Sequence, residues 1–286
     1  MGERSSIFVR IRAKKRRSDK RYKMETFFGL YYQWCYGEHM ISRLRSAIDF
    51  VDRNMNGLYG EPVVNEDQID TFKRYLAVNF DRRSIVDHID LVKTLVNDVN
   101  LGYTKENADI FAQDENHGYI YIDISLDDPF GENKAKIKYA FVDNEYTDKD
   151  GTVSPVRSVE NFADHDMGND ERKWYVPAPY LDNPVYTARK ERFLSEIVPT
   201  CMKNMAKINS SATLMTEDDR KDFVKFGRSF TKNILTEVEQ QKQEITEKRK
   251  SLIDCLNNLA GNVNAGGKNY VELLNLINTT YPEKKT

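Results

Sequence analysis

Ile7-Phe8-Val9-Arg10-Ile11-Arg12-Ala13 alternates strictly, with Ile7, Val9, Ile11 and Ala13 on one side. That spacing predicts a β-strand, because successive side chains of an extended chain point to opposite faces. A polar run follows, Lys14-Lys15-Arg16-Arg17-Ser18-Asp19-Lys20-Arg21, and the alternation resumes at Tyr22, Met24, Thr26 and Phe28. Two strands joined by a basic turn form a hairpin with the charge at its tip. The alternative is a flexible basic arm leading into the aromatic stretch Thr26–Tyr36. Both readings expose the charge.

This tip organises the electrostatics of the whole chain. The 286 residues carry 43 Lys+Arg and 45 Asp+Glu, a net charge of -2. Residues 1–24 alone contribute +8, so the remainder carries -10. Hydrophobic residues make up 40% and aromatic residues 11%, enough for a core and too much for long-range disorder. A charged share of 31% and a mean hydropathy of -0.68 point to extensive solvated helix surface. No stretch approaches the roughly 20 apolar residues of a spanning helix. Three widely spaced cysteines, Cys35, Cys201 and Cys255, argue against a disulfide scaffold and a Cys-based zinc site. They favour a reducing, cytoplasmic compartment. Met1-Gly2-Glu3-Arg4-Ser5-Ser6 fits the loose myristoylation pattern, but Glu3 directly after the glycine is a poor acceptor context.

Outward from the hairpin, helical periodicity takes over. Ile41, Leu44, Ile48, Val51 and Met55 share one helix face. Asn65-Glu66-Asp67-Gln68 reads as a capping box before a helix bearing Ile69, Phe72, Leu76 and Phe80. Ser84 with Asp87 opens a third expected helix, with Ile85, Ile89, Val92, Val96 and Val99 as its apolar face. The texture then changes. Tyr119–Leu126 and Ala135–Val142 are β-branched and aromatic, separated by a turn-rich connector, and predict a second hairpin. Residues 143–172 are strongly acidic and read as a projecting lobe.

The last third returns to helical spacing. Tyr186–Ile208 is periodic, with a break or kink required at Pro199. Thr216-Glu217-Asp218-Asp219 caps a helix that no proline interrupts as far as Gly261, about 60 Å at 1.5 Å per residue. Val238, Ile245, Leu252 and Leu259 recur along it at intervals of seven, a narrow seam suited to self-association. Tyr270–Ile277 reads as a short helix able to fold back. The expected class is α+β and mostly helical. The expected organisation is a basic hairpin with an aromatic segment (1–36), a helical subdomain (37–112), a β-hairpin with an acidic lobe (113–185) and a C-terminal helical region with the long helix (186–286).

Several residue groups carry partial catalytic or metal-binding patterns. Asp123 with Glu132-Asn133-Lys134 has the residue types of a D…ExK nuclease, in which two carboxylates hold a metal that activates water. Here the ExK triplet sits in a turn, where the carboxylates converge poorly. Asp164-His165-Asp166 resembles the paired ligands of metal phosphohydrolases, without a second ligand pair at helical spacing. Tyr146–Gly151 resembles the middle of a calcium loop, but Tyr146 and Arg157 occupy the positions where an EF-hand needs acids. Arg172-Lys173-Trp174-Tyr175 is similar to an element of Cache sensor domains, without their flanking membrane spans. Cys35 with His39 lacks a group to orient the histidine. No glycine-rich phosphate loop, nucleophile elbow or HExxH occurs. No catalytic residue, metal or cofactor is assigned.

The functional expectation is therefore a non-enzymatic, self-associating protein that binds and regulates a macromolecular partner. One contact element is the basic arm: Arg10, Arg12, Lys14, Lys15, Arg16, Arg17, Lys20, Arg21 and Lys23. A second is the acidic lobe: Asp143, Glu145, Asp148, Asp150, Asp164, Asp166, Asp170 and Glu171. The third is the seam through Val238, Ile245, Leu252 and Leu259. Composition rich in Tyr, Asn, Lys and Asp suits an AT-rich bacterial or phage genome. In that setting the expected role is a phage-type inhibitor of a host DNA-processing defence complex, whose basic groove an acidic face would occupy. The alternative is a nucleic-acid-binding protein that uses the basic arm, with aromatic stacking from Phe27, Tyr31, Tyr32 and Trp34, or a nuclease through Asp123 and Glu132. No membrane partner is expected.

Overall fold

The computed structural model describes residues 4–14, 18–33, 37–55, 66–78, 88–98, 109–111, 118–127, 134–143, 154–163, 188, 191–262 and 268–281. Strands β1 (Arg4–Ala13) and β2 (Met24–Gln33) form the expected basic hairpin, paired from Arg4↔Gln33 to Ala13↔Met24. Strands β4 (Tyr119–Leu126) and β5 (Lys136–Val142) form the second hairpin. The two hairpins share one sheet. β1 lies parallel to β4, in register from Ser6↔Tyr119 to Ala13↔Leu126. With β3 (His88–Asp90) and β6 (Thr213–Leu214) the order becomes β3-β2-β1-β4-β5-β6.

Central position explains the composition of β1. A strand flanked on both sides and covered on both faces must bury both sets of alternating side chains. Ile7, Val9, Ile11 and Ala13 are fully buried on one face, and Phe8 and Arg10 on the other. Gly118 enters β4 with φ of 70°, and a Cβ there would lie 2.3 Å from the Val142 carbonyl oxygen. Only glycine fits that turn.

The first face is apolar throughout. Helix α1 (Gly37–Asn54) buries Ile41, Leu44, Ile48 and Val51 against it, and α2 (Glu66–Leu76) adds Ile69, Phe72 and Leu76. Phe50 of α1 and Phe72 of α2 stack at 4.4 Å. Helix α4 (Val159–Ala163) contributes Val159 and Phe162, the latter stacked on Phe141 at 4.2 Å. A π-helical turn, Phe193–Ile197, leads into α5 (Val198–Ser211). Pro199 follows that turn after Val198, so the π geometry lies just ahead of the residue that lacks a backbone N–H. The break or kink expected at that proline takes the form of this π turn.

The expected third helix starts later than its periodicity suggests. His88–Asp90 is a strand paired with Leu30–Tyr32, and Ile89 on it is 47% exposed. Helix α3 (Leu91–Asp98) begins where the Asp90 carboxylate accepts the Lys93 N–H at 3.1 Å, an N-cap. β2 would otherwise be the sheet edge, and its unpaired backbone groups take up the three residues ahead of the cap. Ser84, Ile85, Val99, Phe80 and Asn65 lie outside the described residues.

Helix α6 (Glu217–Asn262) runs for 46 residues and α7 (Lys268–Thr280) follows it. Of the described residues 62% are helical, so helix outweighs strand as the α+β reading requires. The chain divides into two compact units: Met1–Thr94 with Asp109–Arg228, and Leu95–Ala108 with Ser229–Thr286. α6 begins in the first and continues in the second.

Candidate functional site

The second face of the sheet differs from the first. Its central row reads Phe27, Arg10, Asp123, Lys138 across β2, β1, β4 and β5. Arg10 is 2% exposed and grips Asp123 bidentately, with Nε to Oδ1 at 3.1 Å and a terminal nitrogen to Oδ2 at 2.7 Å. Its other terminal nitrogen donates to Asp222 of α6 at 2.8 Å. Arg12 donates to the same Asp123 Oδ2 at 2.7 Å. One buried carboxylate therefore serves two guanidinium groups.

The first turns of α6 close over this row. Thr216 and Asp219 form the expected capping box: the Asp219 N–H donates to Thr216 Oγ1 at 3.1 Å and the Thr216 N–H to Asp219 Oδ2 at 3.0 Å. The Lys138 ammonium donates to Asp219 at 2.6 Å. Burial alone would raise the Asp219 carboxyl, but the hydrogen bonds from Lys138 and Thr216 prevail and hold it at about 2. Phe223 stacks on Tyr121 at 4.9 Å, and the Arg10 guanidinium lies 5.4 Å from the Phe223 ring centre and 5.3 Å from that of Phe226. A Cβ on Gly227 would meet Phe27 at 2.7 Å and Phe111 at 2.8 Å, so glycine sets the distance between helix and sheet.

These contacts correct part of the basic-arm expectation. Arg10 faces the interior and is committed to Asp123 and Asp222 rather than to a partner. Arg12 is committed to Asp123 and lies over the Tyr22 ring at 4.8 Å. Lys14 pairs with Asp127 at 3.3 Å. The Lys136 ammonium at 2.6 Å leads in holding the Asp127 carboxyl at about 2, with Tyr22 and Lys14 assisting against burial. Period-two spacing marks Arg10 as facing away from the aliphatic core. It carries no information on whether a helix 212 residues along the chain covers that face. Lys20, Arg21 and Lys23 are exposed, as expected of a tip. Lys15, Arg16 and Arg17 lie outside the described residues.

The nuclease alternative meets the same pair. Asp123 spends both oxygens on Arg10 and Arg12 in a buried ion pair. Lys134 is exposed, and Glu132 lies outside the described residues. Among the described residues no group of three His, Cys, Asp or Glu could hold a metal ion. Of the acidic lobe, Asp143 is paired with Arg157. Glu145, Asp148, Asp150, Asp164, Asp166, Asp170 and Glu171 lie outside the described residues, as do Tyr146, His165, Trp174 and Cys35.

The seam residues occupy the second unit. Ile245 is 45% and Leu252 41% exposed, Val238 is half-buried, and Leu259 lies on the helix with its side chain outside the description. Asp222, Phe223 and Gly227 were not legible as a set. The capping box marked where α6 begins, but nothing in the local pattern separates Asp222 from the other acids of that turn. No helix among the described residues is long and apolar enough to cross a membrane. No family model, curated protein or solved structure matches the chain.

Proposed function

We propose that this chain is a non-enzymatic binding protein that self-associates through its C-terminal helices and presents a basic hairpin tip to a macromolecular partner. One observation carries the reading. Of eight large apolar side chains that are exposed among the described residues, five (Ile245, Leu252, Val271, Leu273 and Leu276) lie in the second unit. Scattered exposed apolar residues need no explanation, but a concentration on two helices marks an interaction surface. A seven-residue interval on α6 is the spacing that a second helix buries continuously.

The tip supports an acidic protein surface as the partner. Arg10, Arg12 and Lys14 are spent inside the chain, leaving Lys20, Arg21 and Lys23 exposed among the described residues. Outside the first 24 residues the chain carries -10, a charge that repels a long nucleic-acid backbone. The narrower form of the proposal is inhibition of a host DNA-processing defence complex. A reducing compartment suits the free thiols of Cys201 and Cys255.

Light scattering over a concentration series tests the self-association directly. The expected result is a dimer or larger species, converted to monomer by Ile245→Glu with Leu252→Glu. A monomer at about 100 µM, where even a ~10 µM association would be largely formed, sinks the reading. For the tip, a salt series with duplex and single-stranded DNA separates the partner classes: tight, salt-steep binding would move the proposal to nucleic acid.

A further inference from the structure

The seam on α6 has two flanks, and burial distinguishes them. On one flank Lys242 and Arg249 are half-buried, Leu256 is 7% exposed, and Arg249 donates to Asn278 of α7 at 3.0 Å. The chain itself takes part of that flank and leaves Lys242 and Arg249 partly open. On the other flank Gln241, Lys248 and Cys255 are all exposed. A partner helix meeting Val238, Ile245 and Leu252 therefore takes Gln241, Lys248 and Cys255 as the second row of its seam. In heptad terms the apolar row occupies the a positions and the open flank the d positions.

This assignment places Glu237 and Glu244 at g and Lys242 and Arg249 at e. In a parallel pair each g residue faces the e residue five places along the partner helix. Glu237 then meets Lys242 of a second copy, and Glu244 meets Arg249. An antiparallel pair would set glutamates against glutamates and cations against cations along the same flanks.

We infer that two copies of this chain pair through α6 as a parallel, in-register coiled coil, with Cys255 of each copy at the same level of the seam. The inference rests on the self-association reading and adds its partner, orientation and register. The apolar contact from Val238 to Leu252 spans about 21 Å of helix. Lys248 is the unfavourable member, since its two copies face each other and their ammonium groups must reach outward to solvent.

Cys255 gives the test. Cys201 is buried, so Cys255 is the exposed thiol among the described residues. A disulfide forms only where the two Cα atoms come within about 7 Å. A parallel in-register pair brings the thiols level, whereas an antiparallel pair centred on Ile245 separates them by about 30 Å along the axis. The experiment uses the full chain with Cys35→Ser and Cys201→Ser, treated with diamide at low micromolar protein. Two thiols then join as one disulfide, and diamide takes up their two electrons and two protons. The expected product is a covalent dimer, lost on Cys255→Ser. Lys248→Leu, placing apolar residues opposite each other, tightens the dimer about tenfold or more. A dimer by light scattering that yields no Cys255 disulfide overturns the parallel register and leaves self-association standing. A monomer overturns both.

Discussion

Between Glu217 and Arg228, helix α6 places Arg220, Phe223 and Val224 in the interior and fastens Asp219 and Asp222 to sheet cations. Between Glu237 and Asn258 the same helix leaves Ile245 and Leu252 more than two-fifths exposed. The backbone does not change, but the source of order does. The first segment is held by specific partners on a sheet, each with one geometry. The second carries a regular apolar interval whose full burial needs another helix. One long helix therefore acts as a structural clamp at its start and leaves large apolar side chains exposed further along.

Breaking the clamp has the largest expected effect. Asp123→Ala removes the carboxylate shared by Arg10 and Arg12 and leaves a buried guanidinium short of its partner. Loss of one member of a buried pair costs about 3–5 kcal/mol, read as a lowered midpoint in urea unfolding of the first unit. Replacing Arg10 and Asp123 together with apolar residues of similar volume should cost far less. A double variant as unstable as Asp123→Ala would show that something other than the uncompensated charge is responsible.

Gly227→Ala comes next. The added Cβ falls within 2.8 Å of both the Phe27 and Phe111 rings. Overpacking of this kind costs about 1–3 kcal/mol, even though alanine is the better helix former by about 1 kcal/mol. A stabilised variant would mean that helix and sheet can separate freely.

Acid should weaken the clamp by a smaller step. The Asp219 carboxyl is held at about 2, below its usual 3.8. A depressed carboxylate contributes stability that is complete above the unfolded value and is lost as pH falls through the folded one. The window is therefore pH 4 down to 2, and screening at this partly exposed pair limits the contribution to about 1 kcal/mol. Asp219→Asn should flatten that part of the pH–stability curve, measured by thermal unfolding. An unchanged slope would remove Asp219 from the account.

The smallest effect belongs to the other end of the helix. Ile245→Ala or Leu252→Ala should shift first-unit stability by less than about 0.5 kcal/mol while weakening self-association. A large loss of first-unit stability would erase the distinction between the two segments.

Much of the element list was legible because burial imposes a period. Alternation marks β1, β4 and β5, and 3.6-residue spacing marks α1 and α2. The capping box at Thr216 marks the start of α6. Where one short apolar run could satisfy two periods, as at Ile89, the open edge of β2 decided for strand. The candidate site was half legible. Lys20, Arg21 and Lys23 are exposed where a basic turn puts them, and the apolar interval on α6 includes the exposed Ile245 and Leu252. Arg10, Arg12 and Lys14 belong to the same run of sequence and do structural work instead.

By itself the amino-acid order determined the types of the main elements, the length of the last great helix and the separation of charge along the chain. These follow from local spacing, capping and the absence of proline. Tertiary structure alone decided that β1 lies beside β4, and that Arg10 meets Asp123 across 113 residues and Asp222 across 212. Strand pairing and buried ion pairs at that separation depend on which surfaces remain uncovered once the local elements exist, and no local period encodes that.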